Sequence, residues 1–204
     1  MEMTDTIISI LDFTGTFAFA VSGALAAADK KFDLFGAVFL GFVTAIGGGT
    51  MRDMMLGNTP VAWLHDIRIF YTIVLAVAFT FLFRPTIIRF TKALFLFDTI
   101  GISVFTIIGL QKGLGVQIHA PIAVMMGITT AVMGGIIRDV LCNDIPLIFH
   151  KEIYATACLL GGIIYLLLLY CNVSESIIII TAATSIFIVR TLSVRYKWQL
   201  PKFK

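Results

Sequence analysis

The stretch TAIGGGTMRDMMLGNTP, residues 44–60, places a weak point of the backbone and two charges inside a strongly apolar sequence. Three consecutive glycines follow an apolar run, and an Arg-Asp pair comes directly after them. A second stretch, TTAVMGGIIRDVLCNDIP at residues 129–146, nearly repeats the first. The doubled motif indicates an internal duplication, so the sequence around it should repeat as well.

The composition around these motifs is that of a membrane protein. Hydrophobic residues make up 59% of the 204 residues, charged residues only 13%, and the mean hydropathy is +0.99. A soluble domain of this length carries roughly a quarter charged residues. Apolar runs of about 20 residues, long enough to cross a bilayer, recur along the chain. The sequence therefore predicts an all-α membrane protein with a single transmembrane domain over residues 1–204.

Seven apolar runs predict seven transmembrane helices joined by short loops. The predicted spans are Thr6–Ala28, Phe32–Met51, Ile67–Phe83, Thr91–Leu110, Ile118–Ile137, Ile153–Tyr170 and Ser174–Val194. No Lys or Arg precedes the first run, which is unlike a cleavable signal peptide, so we expect this span to remain in the protein.

A shift of 86 positions aligns the first part of the chain with the second. The repeats cover residues 6–88 and 91–172, and residues 174–195 form an added, peripheral seventh helix. Each repeat holds three spans, an odd number, so the second copy must be inverted in the membrane. The aligned pairs are Asp12 with Asp98, Gly15 with Gly101, Phe19 with Phe105, Gly23 with Gly109, Gly41 with Gly127, Thr44 with Thr130, Gly48 with Gly134, Gly49 with Gly135, Arg52 with Arg138, Asp53 with Asp139 and Pro60 with Pro146.

The positive charges predict the orientation. One side of the predicted membrane carries Lys30, Lys31, Arg84, Arg89, Lys92, Arg138, Lys151, Arg190, Arg195, Lys197, Lys202 and Lys204, and the other carries Arg52, Arg68 and Lys112. With the two motif arginines set aside, eleven charges oppose two. By the positive-inside rule, the C-terminus is cytoplasmic and the N-terminus external. These positive charges form a basic rim on the cytoplasmic side of the membrane. We attribute the net charge of +3 to this rim and its contact with lipid, and we expect no nucleic-acid binding.

Each glycine motif lies on a stripe of small residues that share one helix face. Small residues allow close helix packing, which is one interpretation of the stripes. Consecutive glycines also weaken a helix by about 1 kcal/mol each relative to alanine. A bend there would free carbonyl oxygens toward a water-filled cavity, and threonine hydroxyls would add oxygen ligands for a cation. The intramembrane charges favour the pathway over the packing seam. The stripes are Gly41, Thr44, Gly48 and Arg52, and Gly127, Thr130, Gly134 and Arg138.

The intramembrane charges are placed so that they can pair. Asp12 lies early in the first span and Arg52 ends the second, so both are near the same membrane face. Inversion places Asp98 and Arg138 near the opposite face. Each pair is either a static salt bridge that fixes helix register or a gate that opens when the two charges separate.

Other chemistries have little support in the sequence. The three cysteines and three histidines lack metal-ligand spacing, and there is no phosphate loop, nucleophile elbow or metalloprotease motif. We therefore expect no enzyme, no metal and no cofactor, apart from bound lipid. Asp53 and Asp139, the acidic residues of the two Arg-Asp pairs, should either cap the following loop or attract cations.

Two three-span units with the motifs GGGTMRD and GGIIRD, followed by a seventh helix, resemble the prokaryotic branch of the trimeric intracellular cation channel family. The resemblance covers Thr6 to Val194. It implies a homotrimer with a pore in every subunit, lined by the first, second, fourth and fifth spans. It also implies permeation by K⁺ and other monovalent cations such as Na⁺, gated near the glycine bends. The matching motif residues are Gly47, Gly48, Gly49, Arg52 and Asp53, and Gly134, Gly135, Arg138 and Asp139.

Two departures and two rival functions accompany this resemblance. Met133 stands where the first glycine of the second triplet would be, so the two bends need not be equivalent. The lysine-bearing phosphoinositide motif of the animal members has no counterpart here. Similar bacterial proteins are labelled glycine transporters, and a small amino acid could bind between an Arg and an Asp of either repeat. A structural scaffold in the prokaryotic inner membrane is the third interpretation.

Overall fold

The computed structural model describes residues 2–87, 93–150 and 153–199. Over these residues the chain forms seven α-helices and two short 3-10 helices, and the predicted all-α fold is confirmed. Five of the predicted rim charges, Arg89, Lys92, Lys151, Lys202 and Lys204, lie outside the described residues. The elements are α1 (Glu2–Asp29), α2 (Leu34–Met55), a 3-10 helix (Ala62–Leu64), α3 (Ile67–Ile87), α4 (Ala93–Gly115), α5 (Ala120–Leu141), a second 3-10 helix (Leu147–Phe149), α6 (Ala155–Tyr170) and α7 (Glu175–Arg195).

Six of these helices are long and apolar enough to cross a membrane. The exception is α6, which is strongly apolar but only 16 residues long. A helix that crosses the hydrocarbon core at right angles needs about 20 residues. The sixth span that the sequence predicts, Ile153–Tyr170, is thus present as a helix but is shorter than a full crossing.

Helices α1, α2, α4 and α5 form the centre of the molecule, in which α1 packs on α4 and α2 packs on α5. The repeat-related Phe19 and Phe105 stack at this centre, with ring centroids 5.3 Å apart. Gly101 and Gly15 make room for these rings, because a Cβ at either position would lie within 3.1 Å of the facing phenylalanine. The two rings therefore mark the place where the inverted repeats meet.

The glycines of the two motifs bring α2 and α5 into close contact. A Cβ on Gly48 would lie 1.9 Å from the backbone oxygen of Thr130, and one on Gly134 would lie 2.3 Å from that of Thr44. Both helices continue without interruption through their glycines. The missing side chains are thus used for close approach in this conformation, and the bend that would free carbonyl groups stays a prediction.

The helix order gives the molecule two distinct ends. The end where α1 begins and α2 finishes is called the Arg52 end, and the end where α1 finishes and α5 finishes is called the Arg138 end. Contacts between loops confirm which segments share an end. Lys30 after α1 meets Asp144 after α5 at 2.6 Å, and Lys112 late in α4 lies 3.7 Å from Asp53 late in α2.

Candidate permeation pathway and its two ends

The first Arg-Asp pair fastens the end of α2 to the loop that follows it. The Arg52 Nε donates a hydrogen bond to Asp53 Oδ1 at 2.9 Å, and the other carboxylate oxygen accepts from the backbone N–H of Ala62 at 3.1 Å. Asp53 thus satisfies an amide of the loop, because a buried N–H without a partner is costly. Both side chains are buried.

The second Arg-Asp pair repeats this arrangement at the end of α5. The Arg138 Nε donates to Asp139 Oδ1 at 2.8 Å, and Asp139 Oδ2 accepts from the N–H of Leu147 at 3.0 Å. The prediction that Asp53 and Asp139 cap the following loop is confirmed at both ends. A sequential Arg-Asp pair therefore has a structural role at each helix end.

At the Arg138 end, the predicted pair between helices forms. Arg138 Nη1 lies 2.6 Å from Asp98 Oδ1, and the same nitrogen donates to the hydroxyl of Ser22 on α1. Arg138 and Asp98 are fully buried. The guanidinium therefore joins α5 to α4 and α1, in addition to its contact with Asp139. Such a buried ion pair needs this number of hydrogen bonds to offset its lost hydration.

At the Arg52 end, the predicted pair does not form. In the described part of the chain, no ion pair within 4.0 Å joins Asp12 to Arg52, so this prediction is wrong. Arg52 turns to the adjacent Asp53 instead, with Nη2 at 2.8 Å from the carboxylate, and Lys112 approaches the same carboxylate. Asp12 and Arg52 both line a small cavity of about 30 Å³, which also borders Gly49. That volume holds one or two waters.

The Arg138 end opens into a larger vestibule of about 490 Å³. Its charged walls carry three acidic and two basic side chains, so their formal sum is −1. The Lys30–Asp144 contact lies in this wall and joins the two repeats. The hydrogen bond to Asp144 raises the pKa of Lys30, so the contact is an ion pair at neutral pH. The charged residues are Asp29, Lys30, Arg138, Asp139 and Asp144.

Between the two ends the buried side chains are mostly apolar, with several serine and threonine hydroxyls among them. Phe105 forms part of the wall of the Arg52-end cavity, while Phe19 lies against Gly134, one helical turn from Arg138. The predicted threonine ligands lie in packing seams. The Thr44 hydroxyl donates to the Leu40 carbonyl, and the Thr130 hydroxyl donates in the same way to its own helix. Their role as ion ligands stays a prediction.

The remaining motif glycines differ between the ends. A Cβ on Gly49 would have only the Arg52 Nη2 nearby, at 3.6 Å, whereas one on Gly135 would lie 3.0 Å from the Tyr154 hydroxyl and 3.4 Å from Asp98. A Cβ on Gly47 would lie 2.6 Å from Ile137 on α5, so this glycine also serves the crossing. Gly49 and Gly135 are equivalent in the sequence repeat, but Gly49 has open space around it whereas Gly135 is closely packed.

Sequence reasoning missed Arg190, which it assigned to the cytoplasmic rim. The side chain is fully buried, donates to the Ile153 carbonyl at 3.0 Å and lies 4.7 Å from the ring of Tyr154. The helix called peripheral therefore reaches toward the Arg138 cluster. The signal that could have found it is its position inside the apolar run SIFIVRTL, where an arginine is a functional or structural hypothesis by default.

Comparison with known proteins identifies a family model and bacterial relatives that this chain resembles. The family model described as Glycine transporter matches residues 9–85 and 95–170, one match in each repeat. A membrane protein of Vibrio cholerae is 42% identical over 200 residues, covering 97% of this chain and 83% of that protein. The inner membrane protein YadS of Escherichia coli is 39% identical, covering 95% of this chain and 94% of its own length.

Two solved structures extend the comparison over nearly the whole chain. The trimeric intracellular cation (TRIC) channel orthologue from Rhodobacter sphaeroides has a TM-score of 0.89 and 34% identity, covering 94% of this chain and 99% of that chain. A structure described as the basis for conductance through TRIC cation channels has a TM-score of 0.86 and 37% identity, covering 96% and 97%. This chain belongs to the prokaryotic TRIC family. The label of glycine transporter and the structures of cation channels thus describe one family.

Proposed function

We propose that this TRIC family member conducts K⁺ and other monovalent cations through a pore in each subunit of a homotrimer. The observation that carries the proposal is its similarity over nearly the whole chain to solved TRIC cation channels, at 32–37% identity with TM-scores of 0.86–0.89. The pathway runs between α1, α2, α4 and α5, from the Arg52-end cavity to the vestibule at the Arg138 end.

The charge of the two ends supports cations as the permeant species. In their ionised forms, Asp12, Asp53, Arg52 and Lys112 cancel at the Arg52 end, whereas the vestibule has a formal sum of −1. Acidic mouths raise the local concentration of cations and repel anions. The arginines do not turn the pathway into an anion pore, because each is neutralised by at least one carboxylate.

The central phenylalanines are the constriction in this proposal. Phe19 and Phe105 are almost fully buried and stack on each other between the two polar ends. A hydrophobic constriction gates by excluding water, so opening requires the rings to separate. The α2–α5 crossing at Gly48 and Gly134 lies beside Phe19, which allows a change in this crossing to move the ring.

Electrical recording of the purified protein tests the proposal. In a planar bilayer with KCl, we expect unitary current steps that reverse near the K⁺ equilibrium potential when a K⁺ gradient is imposed. Phe19→Ala and Phe105→Ala should increase the time spent open, because a smaller side chain admits water. Phe35→Ala, which removes an exposed aromatic ring from α2, is the matched control. Current steps that reverse at the Cl⁻ potential would contradict the proposal.

A carrier of glycine is the second candidate, because the matching family model carries that description. Its substrate would place a carboxylate on Arg138 or Arg52 and an amine on Asp98 or Asp12. The geometry favours the channel here, since Asp98 and Arg138 are already paired with each other at 2.6 Å. Saturable uptake of labelled glycine into proteoliposomes, without unitary currents, would establish the carrier instead.

We propose that the Arg138 end faces the cytoplasm of a bacterial cell, with the N-terminus outside. Two native cysteines test this orientation, because Cys142 follows α5 at the Arg138 end and the exposed Cys171 follows α6 at the Arg52 end. A membrane-impermeant maleimide applied to intact cells whose outer membrane is made permeable should label Cys171. Labelling in a Cys171→Ser variant that depends on Cys142 would reverse the orientation.

The number of subunits is measured by native mass spectrometry of the detergent-solubilised protein, where a trimer is expected.

A further inference from the structure

A groove of about 320 Å³ lies outside the central pathway, between the end of α1, the start of α2 and the end of α3. Its floor is apolar and its mouth is charged. Ala24, Ala37 and Val77 form part of the floor, and Lys31 and Arg84 stand at the mouth. The groove is at the Arg138 end, where the chain concentrates its positive charge. We propose that it binds one phospholipid with an anionic headgroup, which sets the headgroup phosphate between Lys31 and Arg84.

The two cations at the mouth are available to an anion. Arg84 is exposed, and its Nη2 donates to the Ala28 carbonyl at 3.1 Å, one of the last carbonyls of α1. This bond holds the guanidinium over the groove while other N–H donors of the same group point elsewhere. Lys31 is exposed on the turn after α1. An arginine fork and a lysine ammonium are the usual partners of phosphate oxygens.

The acidic residue in the groove does not cancel this charge. Asp33 caps the N-terminus of α2, because its Oδ1 accepts from the N–H of Gly36 at 2.7 Å. The positive end of the helix dipole partly offsets the carboxylate. With Lys31 and Arg84, the lining retains a formal charge of +1. Thr80 is the other polar residue on the floor, and its hydroxyl is bonded to its own helix at Ala76.

The second repeat provides an internal comparison. The register of 86 places Gln117 opposite Lys31, and both residues have a φ of +60°, so the same turn is present in both repeats. The groove residues are replaced there by larger or uncharged ones. Ala24 and Ala28 correspond to Leu110 and Leu114, and α6, the counterpart of α3, carries no Lys or Arg between Ala155 and Tyr170. The second repeat thus lacks both the two small floor residues and the two cations, at the opposite membrane face.

The two groove cations of the first repeat lie on the side of the membrane where anionic lipids are expected. Anionic lipids attract clusters of Lys and Arg near the cytoplasmic surface, by roughly a factor of five in affinity per cation. The first repeat carries its cations at the end with the positive rim, where such headgroups would lie. An acyl chain needs an apolar channel beside the headgroup site, which the alanines leave open and leucines would fill. The inference is tested by measuring lipid binding alone, so its outcome does not depend on which ion or solute the pathway carries.

Native mass spectrometry of the full-length protein tests the site. The delipidated protein is titrated with dioleoylphosphatidylglycerol or, as the neutral probe, dioleoylphosphatidylcholine. We expect a preference for the anionic lipid, and a loss of about 25-fold in its affinity in the Lys31→Gln/Arg84→Gln variant. Arg195→Gln/Lys197→Gln, which removes the same charge from the same rim outside the groove, should retain the preference. Ala28→Leu, which copies the second repeat, should weaken binding of both lipids.

The outcomes separate a built site from a diffuse charge effect. Equal losses in the groove variant and the rim control would overturn the inference, as would unchanged binding in Ala28→Leu. If the double variant does not elute as a folded protein, Lys31→Gln alone carries the test, because its side chain is exposed and its expected loss is about fivefold. Displacement of the lipid by millimolar inorganic phosphate would show that the cations bind any phosphate and would overturn the commitment to a lipid.

Discussion

The Arg52 end and the Arg138 end begin from the same sequence pattern and reach different electrostatic solutions. Both contain an Arg-Asp pair that caps a loop and an aspartate on the facing helix. At the Arg138 end the aspartate, Asp98, contacts the arginine directly and both are fully buried. At the Arg52 end the equivalent Asp12 makes no such contact in the described chain, and it lines a small cavity together with Arg52. Duplication of residues has therefore not duplicated the bond.

The partners around each cluster explain the difference. Ser22 on α1 adds a hydrogen bond to Arg138, whereas the register of 86 places Ile108 opposite Ser22 in the other repeat. Lys112 competes for the acidic groups at the Arg52 end, and its counterpart at the other end is Ala26. At the Arg138 end the arginine is thus locked by a direct ion pair between helices, whereas at the Arg52 end the charges form a looser cluster beside a water-sized cavity. This contrast makes the Arg138 end the structural anchor and the Arg52 end the better candidate for contact with the permeating ion.

The largest expected effect is the loss of Asp98. Asp98→Ala leaves the Arg138 guanidinium buried with one of its two carboxylate partners, and breaking a buried ion pair costs about 3–5 kcal/mol. Asp12→Ala removes no direct contact with Arg52, so we expect a clearly smaller loss. Thermal unfolding of the detergent-solubilised protein measures both.

Asp98→Ala combined with Arg138→Met serves as the control for this pair. An apolar replacement of both partners removes the stranded charge, so part of the lost stability should return. Equal losses of stability in Asp98→Ala and Asp12→Ala would show that the two ends are energetically alike and would break the comparison.

The next effect concerns the crossing of α2 and α5, where the two repeats should behave alike. Gly48→Ala and Gly134→Ala place a Cβ 1.9 and 2.3 Å from a backbone oxygen of the facing helix. The helices must separate, at a cost of roughly 1–3 kcal/mol or more for overpacking. Gly49→Ala is the matched control, because only the end of the Arg52 side chain lies within 4 Å of its added methyl. A stable Gly48→Ala protein would mean that the crossing is loose.

The sequence predicted the helices and one of the two ion pairs, and the reasons for its failures are specific. Apolar runs and the register of 86 depend on residue type alone, so the helix order and the pairing of Asp98 with Arg138 could be read from them. Arg52 pairs with the adjacent Asp53 rather than with Asp12. This outcome depends on the direction of the side chains and on Lys112, which belongs to the second repeat. The burial of Arg190 depends on the packing of α7 against α4 and α6, whose partners its position inside an apolar run does not specify.

A third prediction sharpens the functional side of the contrast. Arg138→Gln should raise the open probability, because it weakens the contacts that hold α5 to α4 and α1, while the unitary conductance stays close to that of the wild type. Arg52→Gln should instead change the unitary conductance and the K⁺/Na⁺ selectivity, because this arginine borders the cavity of the pathway. For Arg52→Gln each parameter should change about two- to tenfold, in line with the 0.5–1.5 kcal/mol of a single net hydrogen bond, whereas the open probability of Arg138→Gln should change more, because a buried ion pair is broken. Recordings in which both variants alter the same parameter by the same factor would contradict the division of roles.

The smallest effect concerns the exposed Lys30–Asp144 bridge across the mouth of the vestibule. Exposed ion pairs contribute little to stability, so Lys30→Gln should leave the unfolding temperature unchanged. The Lys30→Gln variant should nevertheless widen the mouth of the vestibule, because the bridge to Asp144 is lost. Cys142 reports on this, because it is buried in the same vestibule wall, and burial raises the pKa of its thiol so that little thiolate is present at neutral pH. We expect a water-soluble thiol reagent to modify Cys142 about twofold faster in the variant, since the bridge is weak to begin with.

The measurement is made in a Cys171→Ser background, so that the exposed cysteine at the Arg52 end does not contribute to the signal. Lys31→Gln is the matched control, because it removes an adjacent positive charge that lies in the lipid groove rather than in the vestibule. Removal of any nearby cation lowers the local thiolate fraction slightly, so a purely electrostatic effect would slow the reaction in both variants. A faster reaction in Lys30→Gln alone therefore requires the bridge to act as a strap between the repeats. An unchanged rate would mean that access to Cys142 is set by the buried Arg138 lock, and the contrast between the two ends would then rest on that lock alone.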